Sequence, residues 1–193
     1  MAPPVVVVGL ALLLLNATTT TILLTSFSAS DDAPAPPQRA TIAAYAARHG
    51  YVHWVQHRAR REPSTLAVPW EKLFLMRDAL ERGRRGYRAV LWLDEEEEAG
   101  ALPRPEEVSL DEAWLERFPD RDVFFLLGAD DDGAILARTT PWARALFARA
   151  VAASVCRALF PRPGCCWAQD CLRALAAEMG EAEWRAHVVV VAR

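Results

Sequence analysis

An apolar run ends in a cluster of carboxylates between Arg88 and Glu98, in the segment RAVLWLDEEEE. The β-branched and aromatic residues of this run predict a buried strand, with Asp94 and Glu96 at its end. Carboxylate oxygens bind hard divalent cations, and a cation held by two of them keeps positions open for phosphate oxygens. The spacing therefore indicates a metal site for the phosphates of a nucleotide, and a solvated charge run is the alternative.

Strands and helices alternate on both sides of this segment. Before it, the sequence predicts strands and helices at Thr21–Phe27, 41–50, Tyr51–His57 and 69–83. After it, the sequence predicts a capping box at Ser109 and Glu112 and strands from Asp122 and Gly133. It also predicts a helix opened by Thr140 and Pro141 and an apolar helical stripe from Trp167 to Met179. The last predicted element is a strand starting near His187. This order predicts an α/β fold with a mainly parallel central sheet flanked by helices. In such sheets ligands bind outside the carboxyl ends of the strands, where Asp94 should lie.

Composition and missing motifs exclude several classes of protein. The 193 residues, 52% of them hydrophobic, suffice for one domain with a sizeable core. A net charge of -3 gives no electrostatic reason to expect a nucleic-acid partner. Neither GxGxxG, GxxxxGK[ST] nor GxSxG occurs, so the sequence does not support a dinucleotide oxidoreductase, a P-loop enzyme or a nucleophile-elbow hydrolase.

The amino-terminal residues resemble a targeting segment. The run Val5–Leu15 is the length of a signal-peptide core, and a longer apolar stretch reaching Phe27 would suit a signal anchor. We therefore predict a signal peptide or membrane anchor at residues 1–18 and the folded domain at 19–193. A buried amino-terminal strand is the alternative.

Four cysteines, Cys156, Cys165, Cys166 and Cys171, lie near the carboxyl terminus. Secretory entry would permit disulfides, most simply from Cys156 to one of the other three, but the pairing stays open. Buried reduced cysteines are an equal alternative. The CC-x4-C spacing lacks the paired two-residue gaps of a zinc module.

Five segments in order resemble glycosyltransferase family 34, which contains Golgi galactosyl-, mannosyl- and xylosyltransferases. They are YAARHGY, PWEKLFLMRDAL, RAVLWLDEE, GAILARTTPWARALF and WAQD. The resemblance extends from about Thr21 to Val191. It implies a GT-A-like fold, a nucleotide-diphosphate sugar as donor, manganese, and transfer of a hexose or pentose with retention to a glycan or glycoprotein. It also implies a Golgi-luminal, membrane-anchored or secreted enzyme.

The resemblance also implies roles for individual residues. Asp94, Glu95 and Glu96 would bind the cofactor, with Asp94 and Glu96 as metal ligands in the positions of the family's Asp-x-Asp motif. Gln169 and Asp170 match the late pair near the reacting sugar, as candidate catalytic residues. His187 matches the carboxyl-terminal histidine that completes the metal shell.

The sequence departs from the family at two places. Glu96 stands where the family usually has aspartate, and the turn around Gly133 is shorter than usual. Two further hypotheses therefore stay open. One is a catalytically inactive relative that serves as a scaffold or binding subunit. The other is a nucleotidyltransferase, which would need a glycine-rich phosphate loop near the amino terminus, and the sequence shows none.

Overall fold

A mixed sheet forms the centre of the computed structural model, which describes residues 22–28, 37–57, 68–83, 86–94, 102–103, 107–127, 134–152 and 168–192. The strands in chain order are β1 (Ile22–Ser28), β2 (Val52–His57), β3 (Ala89–Asp94), β4 (Val123–Leu127), β5 (Ala134–Arg138) and β6 (Val188–Ala192). Across the sheet their order is β2-β1-β3-β5-β4-β6.

The sheet is parallel except at one strand. β1 pairs in parallel with both β2 and β3, and β4 pairs in parallel with β6. β5 lies between β3 and β4 and runs antiparallel to both. The carboxyl ends of β1, β2, β3, β4 and β6 therefore meet at one edge, which we call the carboxyl edge. The opposite edge is the amino edge. The mainly parallel sheet predicted from the sequence is confirmed.

Helices cover the sheet on both faces. In chain order they are α1 (Pro37–His49), α2 (Val68–Gly83), a π-helical segment (Asp111–Leu115), α3 (Pro141–Ala152), α4 (Ala168–Met179) and α5 (Glu181–His187). Local sequence signals explain several helix ends. Thr140 Oγ1 accepts from the amide of Ala143 at the start of α3. Gly50, with a φ of 69°, supplies the left-handed backbone just after α1.

The predicted capping box forms at the π-helical segment. The Glu112 amide donates to Ser109 Oγ at 3.1 Å, and the Ser109 amide donates to the Glu112 carboxylate at 3.1 Å. The hydrogen bonds that the Ser109 amide and the Ser109 hydroxyl donate to the Glu112 carboxylate lower the pKa of this exposed carboxyl. The sequence signal identified this helix start correctly, although the turn that follows is π-helical.

Alternating strand residues feed two apolar clusters, one on each face of the sheet. Helices α2, α3 and α4 pack against the first face, whose strand residues are Val90, Trp92, Val123, Phe125, Ile135, Ala137 and Val188. Helix α1 and residues around the π-helical segment pack against the second face, whose strand residues are Ala89, Leu91, Leu93, Phe124, Leu126, Ala134 and Leu136. Burial on both faces explains why the strands read as continuous apolar runs.

One helix of the structure was not predicted from the sequence, and one predicted segment lies outside the described residues. Helix α5 was not predicted, because none of its residues is buried and it therefore lacks an apolar stripe. The predicted leader at residues 1–18 lies outside the described residues. Within the described part of the chain, no helix is both long and apolar enough to cross a membrane.

Candidate functional site

Asp94 is the last residue of β3 and therefore lies at the carboxyl edge. Its partner in the register is Phe27 of β1, and Phe27 pairs in turn with Gln56 of β2. Three neighbouring parallel strands thus end side by side at this point. The backbone position predicted for Asp94 is the one the strand adopts, at the edge where α/β sheets bind ligands.

Glu95 and Glu96 follow Asp94 directly in the sequence and lie outside the described residues, as do the segments that follow β1, β2 and β4 at the same edge. Within the described residues, no group of three or more His, Cys, Asp or Glu side chains has the arrangement of a metal site. The oxygen chemistry of Asp94 and its two successors suits a hard divalent cation. The predicted metal ligands at 94 and 96 stay a prediction.

The structure places His187 apart from Asp94. This residue immediately precedes β6, and β6 is parallel to β4, so His187 lies at the amino edge. The backbone oxygen of His187 accepts a hydrogen bond from the amide of Asp122. The carbonyl of Asp122 accepts in turn from the amide of Arg138, which is the partner of Ala89 in the register. From Ala89 to Asp94 the strand runs roughly 16 Å. Ligands of one ion lie within a few ångströms of each other, so His187 does not share a cation with Asp94.

His187 instead links α5 to the rest of the domain. Its Nδ1 lies 2.5 Å from Oδ2 of Asp122. Its ring stacks on Trp142, with centroids 4.3 Å apart and planes 12° apart. Trp142 in turn donates its indole N–H to Glu183 at 3.3 Å. These contacts join the start of β4 to α3 and α5 at the amino edge, and the metal role predicted for His187 stays a prediction.

Gln169 and Asp170 lie in the first turn of α4, and their side chains are not among those described. The next residue, Cys171, is buried, with its Sγ 3.7 Å from the carbonyl oxygen of Ala150. Ala150 lies near the end of α3, roughly 12 Å along that helix from Trp142. The structure thus places the predicted catalytic pair at the end of α3 that is distant from His187.

Cys171 is disulfide-bonded. Its Sγ therefore has no proton to donate, and its approach to Ala150 is a packing contact. Because Cys156, Cys165 and Cys166 lie outside the described residues, the pairing itself stays open. The bond agrees with the sequence expectation that oxidising conditions would permit a disulfide here.

A buried lysine, which the sequence analysis did not single out, packs over β3. Lys72 of α2 is 4% exposed, and its Nζ lies 4.9 Å from the ring centroid of Trp92 in β3. The indole N–H of Trp92 is buried and has no hydrogen-bond partner within the described part of the chain. The signal was available in the sequence, because Lys72 is the single lysine of the chain and stands in an apolar helix.

A polar network at the second face of the sheet joins segments about 60 residues apart. The Tyr51 hydroxyl accepts from the amide of Leu110 at 3.0 Å and donates to Asp111 at 3.3 Å. Arg88 donates to the other oxygen of Asp111 at 2.7 Å, and Tyr45 donates to the carbonyl of Val108 at 2.8 Å. The network positions the π-helical segment, and no local pattern in the sequence could have predicted it.

Burial is the largest cause that raises the pKa of both tyrosine hydroxyls in this network. For Tyr45, the neighbouring Tyr51 and the negative charges of Asp111 and Glu112 raise the pKa further. For Tyr51, the charge of Asp111 also raises the pKa, whereas the hydrogen bond from the Leu110 amide opposes the shift. Both groups are therefore held neutral beyond the pH at which a free tyrosine ionises.

We expect the free energy of unfolding to decrease as the pH rises above about 10. Tyrosines of the unfolded chain lose their protons near pH 10, whereas these two keep theirs in the folded state. Their contribution is complete below pH 10 and is lost above it, by at most roughly 1.4 kcal/mol per pH unit for each tyrosine. Urea unfolding between pH 8 and 11 measures this slope. Tyr45→Phe should reduce it, and a variant slope equal to that of the parent would contradict the prediction.

Comparison with known proteins shows an informative likeness among solved structures. No protein-family model matches the chain, and no curated protein sequence matches it. Among solved structures, the chain is similar to the crystal structure of a glycosyltransferase involved in the glycosylation of the major capsid of PBCV-1. The TM-score is 0.58 at 12% identity, over 89% of this chain and 82% of that one.

At this identity the likeness concerns the fold. The chain has the mixed α/β architecture of a glycosyltransferase structure, with a central sheet flanked by helices, and the predicted GT-A-like fold is confirmed. Membership of glycosyltransferase family 34 stays a prediction.

Proposed function

We propose that this protein is a metal-dependent glycosyltransferase that transfers a hexose or pentose from a nucleotide-diphosphate sugar to a glycan or glycoprotein. The observation that carries the proposal is the position of Asp94, at the carboxyl end of the central strand β3 in a fold similar to that of a glycosyltransferase. The ordered segments that resemble glycosyltransferase family 34 support the same reaction, with retention at the anomeric carbon.

Asp94 and Glu96 would hold the cation, with Glu95 beside them in the cofactor site. Manganese bound there would supply positive charge for the diphosphate leaving group as the glycosidic bond breaks. Pairing with Phe27 of β1 holds the backbone of Asp94 at the end of β3. A position fixed before substrate binds avoids the cost of reorganising charged groups during the reaction.

Gln169 and Asp170 are proposed to act on the sugar itself. The breaking bond leaves positive charge on the sugar ring, and a carboxylate or amide oxygen on the opposite face stabilises that charge. Helix α4 holds this pair through the burial of Cys171, Leu172 and Leu175 in the core directly after its first turn. We propose that the pair faces the sugar bound at the carboxyl edge.

The proposed location is the secretory pathway, either anchored in the Golgi membrane through the amino terminus or secreted. The disulfide at Cys171 supports this proposal, because disulfides persist mainly in oxidising compartments. The apolar run Val5–Leu15 supports it independently.

A donor screen tests the proposed function. The full chain is incubated with manganese and each of a panel of nucleotide-diphosphate sugars, with and without glycan acceptors, and release of nucleoside diphosphate is measured. We expect one donor class to give release that depends on manganese and increases with an acceptor. If no donor gives release under any of these conditions, the result favours the hypothesis of a catalytically inactive scaffold. That hypothesis is open because Glu96 stands where the family usually has aspartate.

Asp170→Asn should lower turnover on the order of tenfold to a hundredfold while changing the donor dissociation constant much less. This is the pattern of an interaction formed mainly in the transition state. Gln169→Ala is the companion variant, and the one with the larger loss identifies the group closer to the reacting carbon. If Asp170 only stabilises the first turn of α4, its replacement lowers the melting temperature slightly and leaves turnover normal.

A further inference from the structure

Strand β6 is one of the two outermost strands of the sheet, and its sequence is VVVVA. On its inner side it pairs in parallel with β4 over its whole length. Within the described part of the chain, no strand pairs with its outer side. An outermost strand presents a row of backbone N–H and C=O groups with which another strand can pair. β6 therefore offers an apolar segment for such pairing.

Val190 of β6 is exposed although it lies on the first face of the sheet, as Val188 does two residues earlier. Among the side chains that the structure describes, Val190 at 56% and Val52 at 41% are the two exposed large apolar ones. Val189 and Val191, on the second face, pack against the apolar cluster there. The cover of the first face thus ends at Val190, and burial of this side chain requires a further apolar group beside β6.

The two outermost strands, β2 and β6, differ in how their edges are protected. Natural sheets protect an edge with charged side chains, proline, a bulge or a covering element. β2, with the sequence VHWVQH, has three polar side chains among its six residues, whereas β6 has none among its five. Helix α5 is directed inward, since Trp184 stacks on Phe125 of β4 with ring centroids 6.1 Å apart. β6 is therefore the outer strand that is suited to pairing.

We propose that β6 pairs with β6 of a second copy of this chain in antiparallel orientation, so that the two sheets become one. A two-fold axis at Val190 places this residue opposite Val190 of the second copy. The same axis places Val189 opposite Val191 and Val188 opposite Ala192. Residues opposite each other in an antiparallel pair lie on the same face, about 4.5 to 5.5 Å apart. Each copy of Val190 then covers the other.

The sequence of β6 favours a second copy of the same strand as its partner. All five residues are apolar, so reversing the strand still places an apolar residue opposite every position and brings no charges together. Pairing of a segment with itself about a two-fold axis also closes at two copies, whereas pairing of β6 with β2 would continue into a filament. One strand pair is a small interface, so we expect a micromolar rather than a nanomolar dissociation constant.

Sedimentation of the full chain in a density-matched detergent tests the pairing. Between about 1 and 300 µM, the range of weak interfaces, the mass of the parent should rise from the 21.4 kDa of one chain toward twice that value. Val190→Lys places two ammonium groups opposite each other and should raise the dissociation constant at least about tenfold. A parent that stays monomeric throughout would overturn the proposal. Association of Val190→Lys as strong as that of the parent would overturn it too, because another surface would then be responsible.

Val52→Lys is the matched control, because Val52 is the exposed valine of the other outermost strand, β2. It introduces the same charge at a similar exposure and should leave the dimer unchanged. Equal weakening by both variants would show a general charge effect. Assemblies larger than a dimer that Val52→Lys dissociates would show pairing of β6 with β2, and either result refutes the proposal. A cooperative melting transition should show that both variants are folded.

Cross-linking tests the two-fold register without weakening the interface. Val190→Cys places the cysteines of the two copies opposite each other, within the Cα separation of about 7 Å that a disulfide can span, so mild oxidation should link dimers. Val191→Cys is the control, because in this register it lies roughly 8 Å from its counterpart, and it should link at least about tenfold more slowly. The parent measures linkage through the four native cysteines. Linkage of Val190→Cys no faster than that of Val191→Cys or the parent would overturn the proposal.

Discussion

Asp94→Asn is expected to reduce turnover at least on the order of a hundredfold. Asparagine keeps the size of the side chain but removes the charge that the proposed site uses to hold a cation at the end of β3. The diphosphate leaving group would then lose the positive charge that stabilises it, and single groups of this kind contribute on the order of 10² to 10³ in rate. Nucleoside diphosphate release at saturating donor and manganese measures the effect.

The control for this prediction is Asp78→Asn in α2. Asp78 is exposed and pairs with the neighbouring Arg77 at 2.7 Å, an interaction that contributes little to stability. This variant should keep the turnover of the parent. Circular dichroism and a cooperative melting transition should show that both variants are folded. If Asp94→Asn retains the turnover of the parent, the end of β3 is not the metal site and the proposed function loses its main support.

Arg138→Met is expected to cost roughly 2 to 5 kcal/mol in the free energy of unfolding. The Arg138 guanidinium donates to three backbone carbonyls, those of Leu115, Arg121 and Phe118, the last at 3.2 Å. These bonds fasten the end of the π-helical segment to β5. Methionine fills similar space but donates to none of the three carbonyls, of which that of Phe118 keeps the amide of Arg121 as a donor. Urea unfolding at pH 7 measures the loss.

Two companion variants make this result specific. Arg138→Lys keeps the charge but not the planar fork of donors, so it should recover only part of the stability. Arg149→Met removes an exposed arginine whose bond to Glu178 is 3.0 Å long, and it should cost under about 1 kcal/mol. A loss at Arg138 no larger than that at Arg149 would show that the three carbonyls find water instead.

Burial and the nearby charge of Arg88 lower the pKa of Arg138, whereas Asp122 and Asp111 raise it. Burial is the largest of these effects. The guanidinium nevertheless stays charged near neutral pH, because an arginine begins so far above it. The three hydrogen bonds are therefore charge-assisted, which makes them stronger than bonds between neutral groups.

Local signals in the sequence predicted most of the fold. The apolar run before Asp94, the capping box at Ser109 and Glu112 and the Thr140 cap all appear in the structure where expected. Each depends on neighbouring residues alone, so a sequence is sufficient to identify it. Helix α5 was missed for the complementary reason: none of its residues is buried, and no apolar period marks it.

The arrangement of the site could be predicted only in part, because it depends on strand direction. A strand starting after His187 and a strand ending at Asp94 could be recognised separately. Only the parallel pairing of β6 with β4 shows that their relevant ends lie at opposite edges of the sheet. The contact of Lys72 with Trp92 joins a helix to the following strand, and it likewise requires the packed structure.

The antiparallel placement of β5 has a consequence for how such a domain can diversify. β4 ends and β5 begins at the carboxyl edge, with Leu126 opposite Ala134, and an antiparallel pair of this kind does not need a crossover connection. Insertions there require no helix to find a new docking position. Doubling the length of a flexible connection costs only about 0.6 kcal/mol in loop-closure entropy. Next to the end of β3, the chain can therefore acquire new residues while the core that supports this strand stays unchanged.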